Sequence, residues 1–220
     1  MQQNGQIWIT KSLNERQRVC VQNFGLSVNE IPLSTLKFNH FPERIPSASA
    51  WVFTSQNAVK NLPKISFSGP VYASGNQTAK ALMEKGFEAK LGANETALSL
   101  AKKITEDGVK SVVFFCGNMR RNELPHYLSK KGVQLKEEVV YHTLLDPKII
   151  NAQKGDALFF MSPSAVESYA MINEFNTEID YYSIGETTAK ALQNKGIQKN
   201  HTAAEASLEA MLKQYTTENN

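Results

Sequence analysis

The chain repeats itself, and a repeat restricts the fold more than any single motif can. Laid over residues 183–197 (SIGETTAKALQNKGI), residues 73–87 (ASGNQTAKALMEKGF) match at eight of 15 positions, where random pairing at average composition gives about one. Upstream, residues 51–59 (WVFTSQNAV) overlay 158–166 (LFFMSPSAV) with Phe, Ser, Ala and Val in common. Residues 93–103 overlay 203–213, and the opening stretch 7–33 overlays 112–140 with Gly25 on Gly132. The segments keep their order at offsets of 105 to 110 residues. Whatever one half folds into, the other half folds into as well.

Within each copy the elements alternate. Short apolar runs of strand length (Ile7-Trp8-Ile9-Thr10 and 112–116) lead into helical stretches that stop at Gly25 and Gly132, glycine being the preferred residue just past a helix end. Strands at 28–33 and 135–141 follow, then a strand turning into a helix at 50–53 and again at 157–161. Strands at 70–73 and 181–184 end at Gly75 and Gly185, and the helices after them stop at Gly86 and Gly196. Apolar strands that alternate with helices predict parallel sheets covered on both faces, hence an α/β chain of two flavodoxin-like (Rossmann-like) lobes. The extended segments 32–38 and 139–145 occupy equivalent places and could be crossovers. From the residues alone, the copies could fold in sequence or exchange their first portions. The polar tail from Thr216 to Asn220 is expected to fray.

Composition removes several function classes. Lys+Arg 24 against Asp+Glu 21 gives a net charge of +3 with no run of about five or six like charges, so a nucleic-acid footprint is not expected. The longest apolar runs, such as 112–116 and 157–161, reach about a quarter of the roughly 20 residues a membrane helix needs. No secretory signal is read in residues 1–5, and two cysteines make no disulfide framework, so the expected compartment is the reducing cytoplasm. Cys20 and Cys116 read as buried thiols. His40, His126, His142 and His201 lack metal-ligand spacing, and no CxxC, GxGxxG, GxxxxGK[ST] or GxSxG occurs, so neither metal catalysis, nor a nucleotide-phosphate grip, nor acyl transfer by a serine is expected.

What remains is a set of small polar turns at strand ends, where open parallel sheets bind ligands. They are 54–57 (TSQN), 75–78 (GNQT), Gly117-Asn118, Ser162-Pro163-Ser164 and 185–188 (GETT). Each could merely cap a helix; together, with free N–H groups and the helix dipole, they suit an anionic ligand in a cleft between lobes. Arg120-Arg121 could clamp a carboxylate but reads better as a solvated helix start. Glu137-Glu138, adjacent on a strand, point to opposite sides and make a poor acid/base pair. Tyr141 is either an aromatic packed between lobes or a phenol that donates into the cleft.

The ordered series Phe53-Thr54-Ser55-x-Asn57-Ala58-Val59, Gly75-x-x-Thr78-Ala79, Cys116-Gly117-Asn118 with Arg121 and Leu124, Gly132 with Val139-Val140-Tyr141-x-Thr143, Phe160-x-Ser162-Pro163-Ser164-Ala165-Val166 and Ile184-Gly185-x-Thr187-Thr188-Ala189 resembles the uroporphyrinogen-III synthases. The resemblance implies two lobes joined by a two-stranded β ladder, residues 1–36 plus 145–220 forming one and 37–144 the other. It implies a cofactor-independent, monomeric enzyme that cyclises hydroxymethylbilane, a linear tetrapyrrole with eight carboxylates, to uroporphyrinogen III. Water is lost and ring D is inverted through a spiro intermediate. By the same likeness Tyr141 assists departure of the hydroxyl. Ser55, Asn57, Gly75, Thr78, Gly117, Asn118, Ser162, Ser164, Gly185, Thr187 and Thr188 are then the substrate-binding candidates. The alternative weighed against it is a non-catalytic two-lobe module that senses an acidic small molecule.

Overall fold

The computed structural model describes residues 5–219; the first four residues, part of the stretch read for a secretory signal, lie outside them, as does Asn220. Elements alternate along the chain as β1 (Ile7–Ile9), α1 (Glu15–Asn23), β2 (Val28–Glu30), β3 (Ser34–Phe38), β4 (Ala50–Phe53), α2 (Gln56–Lys60), β5 (Val71–Ala73), α3 (Asn76–Glu84), β6 (Ala89–Leu91) and α4 (Ala97–Glu106). The second copy supplies β7 (Ser111–Gly117), α5 (Glu123–Lys130), β8 (Gln134–Leu145), β9 (Ala157–Phe160), α6 (Pro163–Tyr169), β10 (Asp180–Ser183), α7 (Glu186–Asn194), β11 (His201–Thr202) and α8 (Leu208–Asn219).

Two compact units result. One comprises the chain through Thr35 and from Leu144 onward; the other is Leu36–Thr143. The first holds a parallel sheet in the order β11-β10-β9-β1-β2. The second holds β3-β8-β7-β4-β5-β6, with β8 through β6 parallel. Each unit therefore takes its first two strands from one copy of the repeat and its last three from the other. Counted by copy position, both sheets read 2-1-3-4-5, the flavodoxin-like order. The links between the units run through β3 and β8, neighbours in the six-stranded sheet. At the two ends of β3, Asn39 N–H donates to Val140 O (3.0 Å) and Asp146 N–H to Leu33 O (2.9 Å), which makes this ladder antiparallel.

Both faces of each sheet are covered, as the continuous apolar strands require. In the second unit Val52 and Phe114 pack beneath Leu100 and Ile104 of α4 and Leu128 of α5. Their neighbours Trp51, Phe53, Val113 and Phe115 point the other way, onto Val59 of α2 and Leu82 of α3, the two-residue alternation of a strand. The first unit repeats the plan, with Phe159 beneath α8 and Phe160 beneath α6. The helix-stop glycines adopt positive φ: 67° at Gly25, 87° at Gly86, 73° at Gly132 and 93° at Gly196.

Several boundaries differ from the sequence expectation. The strand read over 28–33 stops at Glu30 and resumes at Ser34, because Pro32 has no N–H for the ladder. The strand read over 135–141 and the crossover at 139–145 are one continuous strand of 12 residues, β8. The helix expected from Ala93 begins at Ala97, where Thr96 caps it by accepting the Ser99 N–H at 3.1 Å. The tail expected to fray continues α8 to Asn219, and the Thr216 and Thr217 hydroxyls donate to Lys213 O, both at 2.9 Å.

Candidate active site

A sheet whose strand order reverses leaves a crevice at its C-terminal edge, because the two strands at the reversal send their chains to opposite faces. In the second unit this switch point lies between β4 and β7, and in the first between β1 and β9. Residues just past these strand ends are the ones that a ligand can reach.

At the β4–β7 switch point, Ser55 caps α2 by accepting the Asn57 N–H at 3.1 Å. Gly117 ends β7 and lies opposite Tyr141 of β8. The Tyr141 ring covers that glycine so closely that a Cβ there would stand 2.4 Å from Cζ and 2.7 Å from the phenol oxygen. The ring of Phe38 lies 6.3 Å away, tilted at 45°. Burial raises the Tyr141 phenol above its ordinary pKa, while a hydrogen bond with the Ser55 side chain works in the opposite direction. The phenol is thus protonated at neutral pH and able to donate.

The starts of α3 and α7 differ although their sequences are alike. Both are capped by a glycine, Gly75 or Gly185, with no side-chain cap. At α3 the carboxylate of Glu95 has moved in: its Oε1 accepts the Asn76 N–H at 3.0 Å. At α7 nothing lies within 4 Å of the place a Gly185 Cβ would take. Thr187 is exposed beside it. Thr78 and Thr188, grouped with it from sequence, instead turn into the core at 5% and 1% exposure. The Thr188 hydroxyl has no hydrogen-bond partner there, so these two positions offer the loop their backbone rather than their side chains.

At the end of β9, Ser162 caps α6 through Ala165 N–H (3.2 Å). Its hydroxyl also hydrogen-bonds that of Ser164 (2.9 Å), which in turn meets Ser34 at 3.2 Å. Ser34 and Glu95 were not found by sequence reasoning. The only signal for either was a small or acidic residue at a loop edge, which is too common to single out.

Two other sequence readings change. The turn at Gly117-Asn118 does not open a helix, since α5 starts at Glu123; Arg120 N–H donates back to Gly117 O in a tight turn. The Asn118 side chain instead bonds the backbone of Thr143, accepting its N–H at 2.7 Å. Arg120, read as solvating a helix start, holds the Glu137 carboxylate through two contacts of 2.7 and 2.8 Å. Burial pushes the Cys116 thiol up to about 12, which removes it as a nucleophile at neutral pH. Among the described residues no cluster of His, Cys, Asp or Glu could hold a metal ion, and no helix is long and apolar enough to cross a membrane.

Residues 17–213 match the family model of uroporphyrinogen-III synthase HemD. The chain belongs to this family. The activity that goes with membership is that of a uroporphyrinogen-III synthase, a cyclising lyase of haem biosynthesis that acts on a tetrapyrrole. Solved structures of the family share the fold. A uroporphyrinogen-III synthetase from Helicobacter pylori aligns with a TM-score of 0.66 at 24% identity, covering 97% of this chain and 99% of its own. A triple variant of the uroporphyrinogen III synthase from the extremely thermophilic bacterium Thermus thermophilus gives 0.70 at 16% identity over 97% and 98%, and the wild-type protein in another crystal form 0.56 at 16% over 97% of each chain. Of the candidate residues named from the sequence, Ser55, Gly117 and Tyr141 come together at one strand end.

Proposed function

We propose that the reaction is dehydrative cyclisation of hydroxymethylbilane to uroporphyrinogen III, with Tyr141 as proton donor to the leaving hydroxyl. The placement of the Tyr141 phenol over Gly117 at the switch point carries this reading. The phenol O–H donates as the C–O bond breaks, water departs, and an azafulvene cation remains. The substituted α-carbon of ring D attacks that cation to give a spiro intermediate. The bond from this carbon to the ring C methylene then breaks to leave a second azafulvene cation on ring C, and the free α-carbon of ring D closes on that methylene with ring D inverted. The proton lost on aromatisation returns to the pool. Burial, by holding the phenol above its ordinary pKa, keeps the donor loaded.

The substrate's carboxylates are held by main-chain amides and hydroxyls at the strand ends of each unit. Gly185 and Thr187 at the open start of α7, Gly75 at α3, Ser162 and Ser164 at α6, and the Asn57 side chain at α2 are the proposed contacts; the Thr78 N–H is taken by Gly75 O at 3.1 Å. Helix starts of this kind favour anions, and holding the chain curled is catalysis by orientation. The enzyme works as a cytoplasmic monomer without a cofactor.

Incubation with hydroxymethylbilane followed by separation of type I and type III products tests the assignment, because type I forms without enzyme. The type III isomer is expected to dominate, and Tyr141→Phe is expected to slow its formation about 100-fold, at the low end of what general acid catalysis contributes, with KM little changed. A type I to type III ratio equal to that of buffer alone sinks the function, and full activity in Tyr141→Phe sinks the donor role.

A further inference from the structure

Resting on the donor role of Tyr141, we infer that Asn118 is a positioning residue, one that fixes the direction of the Tyr141 phenol instead of contacting the substrate. The argument begins with the register of β7 and β8. Their residues pair one for one from Ser111 with Gln134 to Cys116 with Val139, and then Gly117 lies opposite Tyr141, with Val140 passed over. One extra residue on a parallel pair is an uncommon bulge, and bulges re-aim the side chains that follow them. In an unbroken ladder Gly117 would oppose Val140, and every residue from 141 on would exchange faces. The bulge is what brings the phenol over the glycine, and Val140 is fully buried beneath it.

A bulge leaves backbone groups out of the regular ladder, and something must take them up. Asn118 does so with three of its groups. Its own N–H donates to Tyr141 O at 3.2 Å. Its Oδ1 accepts the Thr143 N–H at 2.7 Å, and its Nδ2 donates to Thr143 O at 3.4 Å. The residue thus clips β8 on both sides of His142, directly after the tyrosine. With its backbone N–H and Oδ1 engaged in this way, Asn118 keeps one side-chain N–H for a carboxylate, while Gly117 supplies the gap in which the ring lies. A shift of about 1 Å at a reacting group can cost 100-fold in rate, so the clip has leverage although it touches no reacting atom.

The test uses the full-length protein, hydroxymethylbilane and four variants: Asn118→Ala, Asn118→Asp, Tyr141→Phe and the double variant Asn118→Ala/Tyr141→Phe. Asn118→Ala is expected to lower kcat for the type III isomer at least 10-fold with KM within a factor of two. The double variant is expected to be no slower than Tyr141→Phe alone, since positioning is worthless once the phenol is gone. Asn118→Asp keeps the short bond from Thr143 N–H and should retain most of kcat. Multiplying losses in the double variant, or a raised KM with kcat intact in Asn118→Ala, would overturn the inference and return Asn118 to substrate contact. A second readout is independent of turnover. With Cζ-labelled tyrosine, the Tyr141 signal, assigned by its disappearance in Tyr141→Phe, should move in Asn118→Ala; an unmoved signal refutes the clip. A fully active Tyr141→Phe whose Tyr141 signal still moves in Asn118→Ala identifies the donor assignment as the error.

Discussion

A hydroxyl sealed from water with nothing to bond costs folding free energy that an apolar group of the same shape does not. Ser168 is such a residue: it is fully buried in α6, and its Oγ has no hydrogen-bond partner. Ser168→Ala removes the stranded oxygen and inserts the better helix former. It should raise stability by about 1 kcal/mol, seen as a rise of roughly 2–4 °C in the thermal midpoint, with the type III rate unchanged. A lower midpoint would mean that Ser168 bonds something in solution. Thr188 shows how far such details were legible. Its place in a polar turn suggested a side chain that lines a site, yet Thr188 and Leu192, like Thr78 and Leu82, stand four residues apart and are all buried. That spacing puts each pair on one helix face, so the inward direction was present in the sequence, overshadowed by the polarity of the turn.

At the scale of elements, the two glycine-capped helices test how much an occupied N-terminus matters. Amides and dipole at a helix start attract one carboxylate well and a second poorly. Glu95 already fills that role for α3, whereas the start of α7 stands open, although residues 75–78 and 185–188 share glycine and threonine at the same places. The difference arises from the loop before α4, where Thr96 caps that helix and Asn94 bonds both the Thr96 hydroxyl and Ser99 Oγ, leaving Glu95 turned toward α3. No reading of helix propensity reaches such a contact, because it joins residues 19 apart through a loop. Glu95→Ala should cost about 0.5–1 kcal/mol of stability, the worth of an anion at a helix start. It should also lower KM for hydroxymethylbilane two- to five-fold by clearing the amides for a substrate carboxylate. Urea titration reads the first and initial rates the second; a raised KM would show that Glu95 shapes the loop for substrate instead of competing with it.

Across the whole molecule the repeat was plain in the residues while its routing was not. Matching segments such as 73–87 and 183–197 declare two sheets of one plan, but nothing in them says which β1-type strand pairs with which β4-type strand. Pairing β1 with β9 and β7 with β4 is a long-range choice, and local patterns carry no record of it. The duplication extends to side chains that no alignment of letters brings out. In one unit the buried Tyr72 donates to Asp107 at 2.7 Å, and Lys90 and Lys103 hold the same carboxylate at 2.8 and 2.7 Å. In the other, Tyr182 donates to Glu218 at 2.8 Å, with His201 Nδ1 at 2.8 Å from that carboxylate. Each unit thus ties the helix after its last strand to a tyrosine of the sheet. Hydrogen bonds from Lys103, Lys90 and Tyr72 hold the Asp107 carboxyl well below its ordinary pKa. At Glu218 burial pushes upward, but Tyr182, Gln214 and His201 outweigh it, and this carboxyl too is lowered. A carboxyl lowered by folding contributes stability that is complete above its unfolded value and is lost as the pH falls through the folded one. Both ties should therefore hold at neutral pH and weaken progressively below about pH 4. Asp107→Asn, which keeps the shape and drops the charge, should be less stable than the parent at pH 7 and should converge on it as the pH is lowered from about 5 to about 2, read by urea unfolding at each pH. A gap that stays constant or widens on acidification would show that the network around Asp107 is held by geometry and not by its charge.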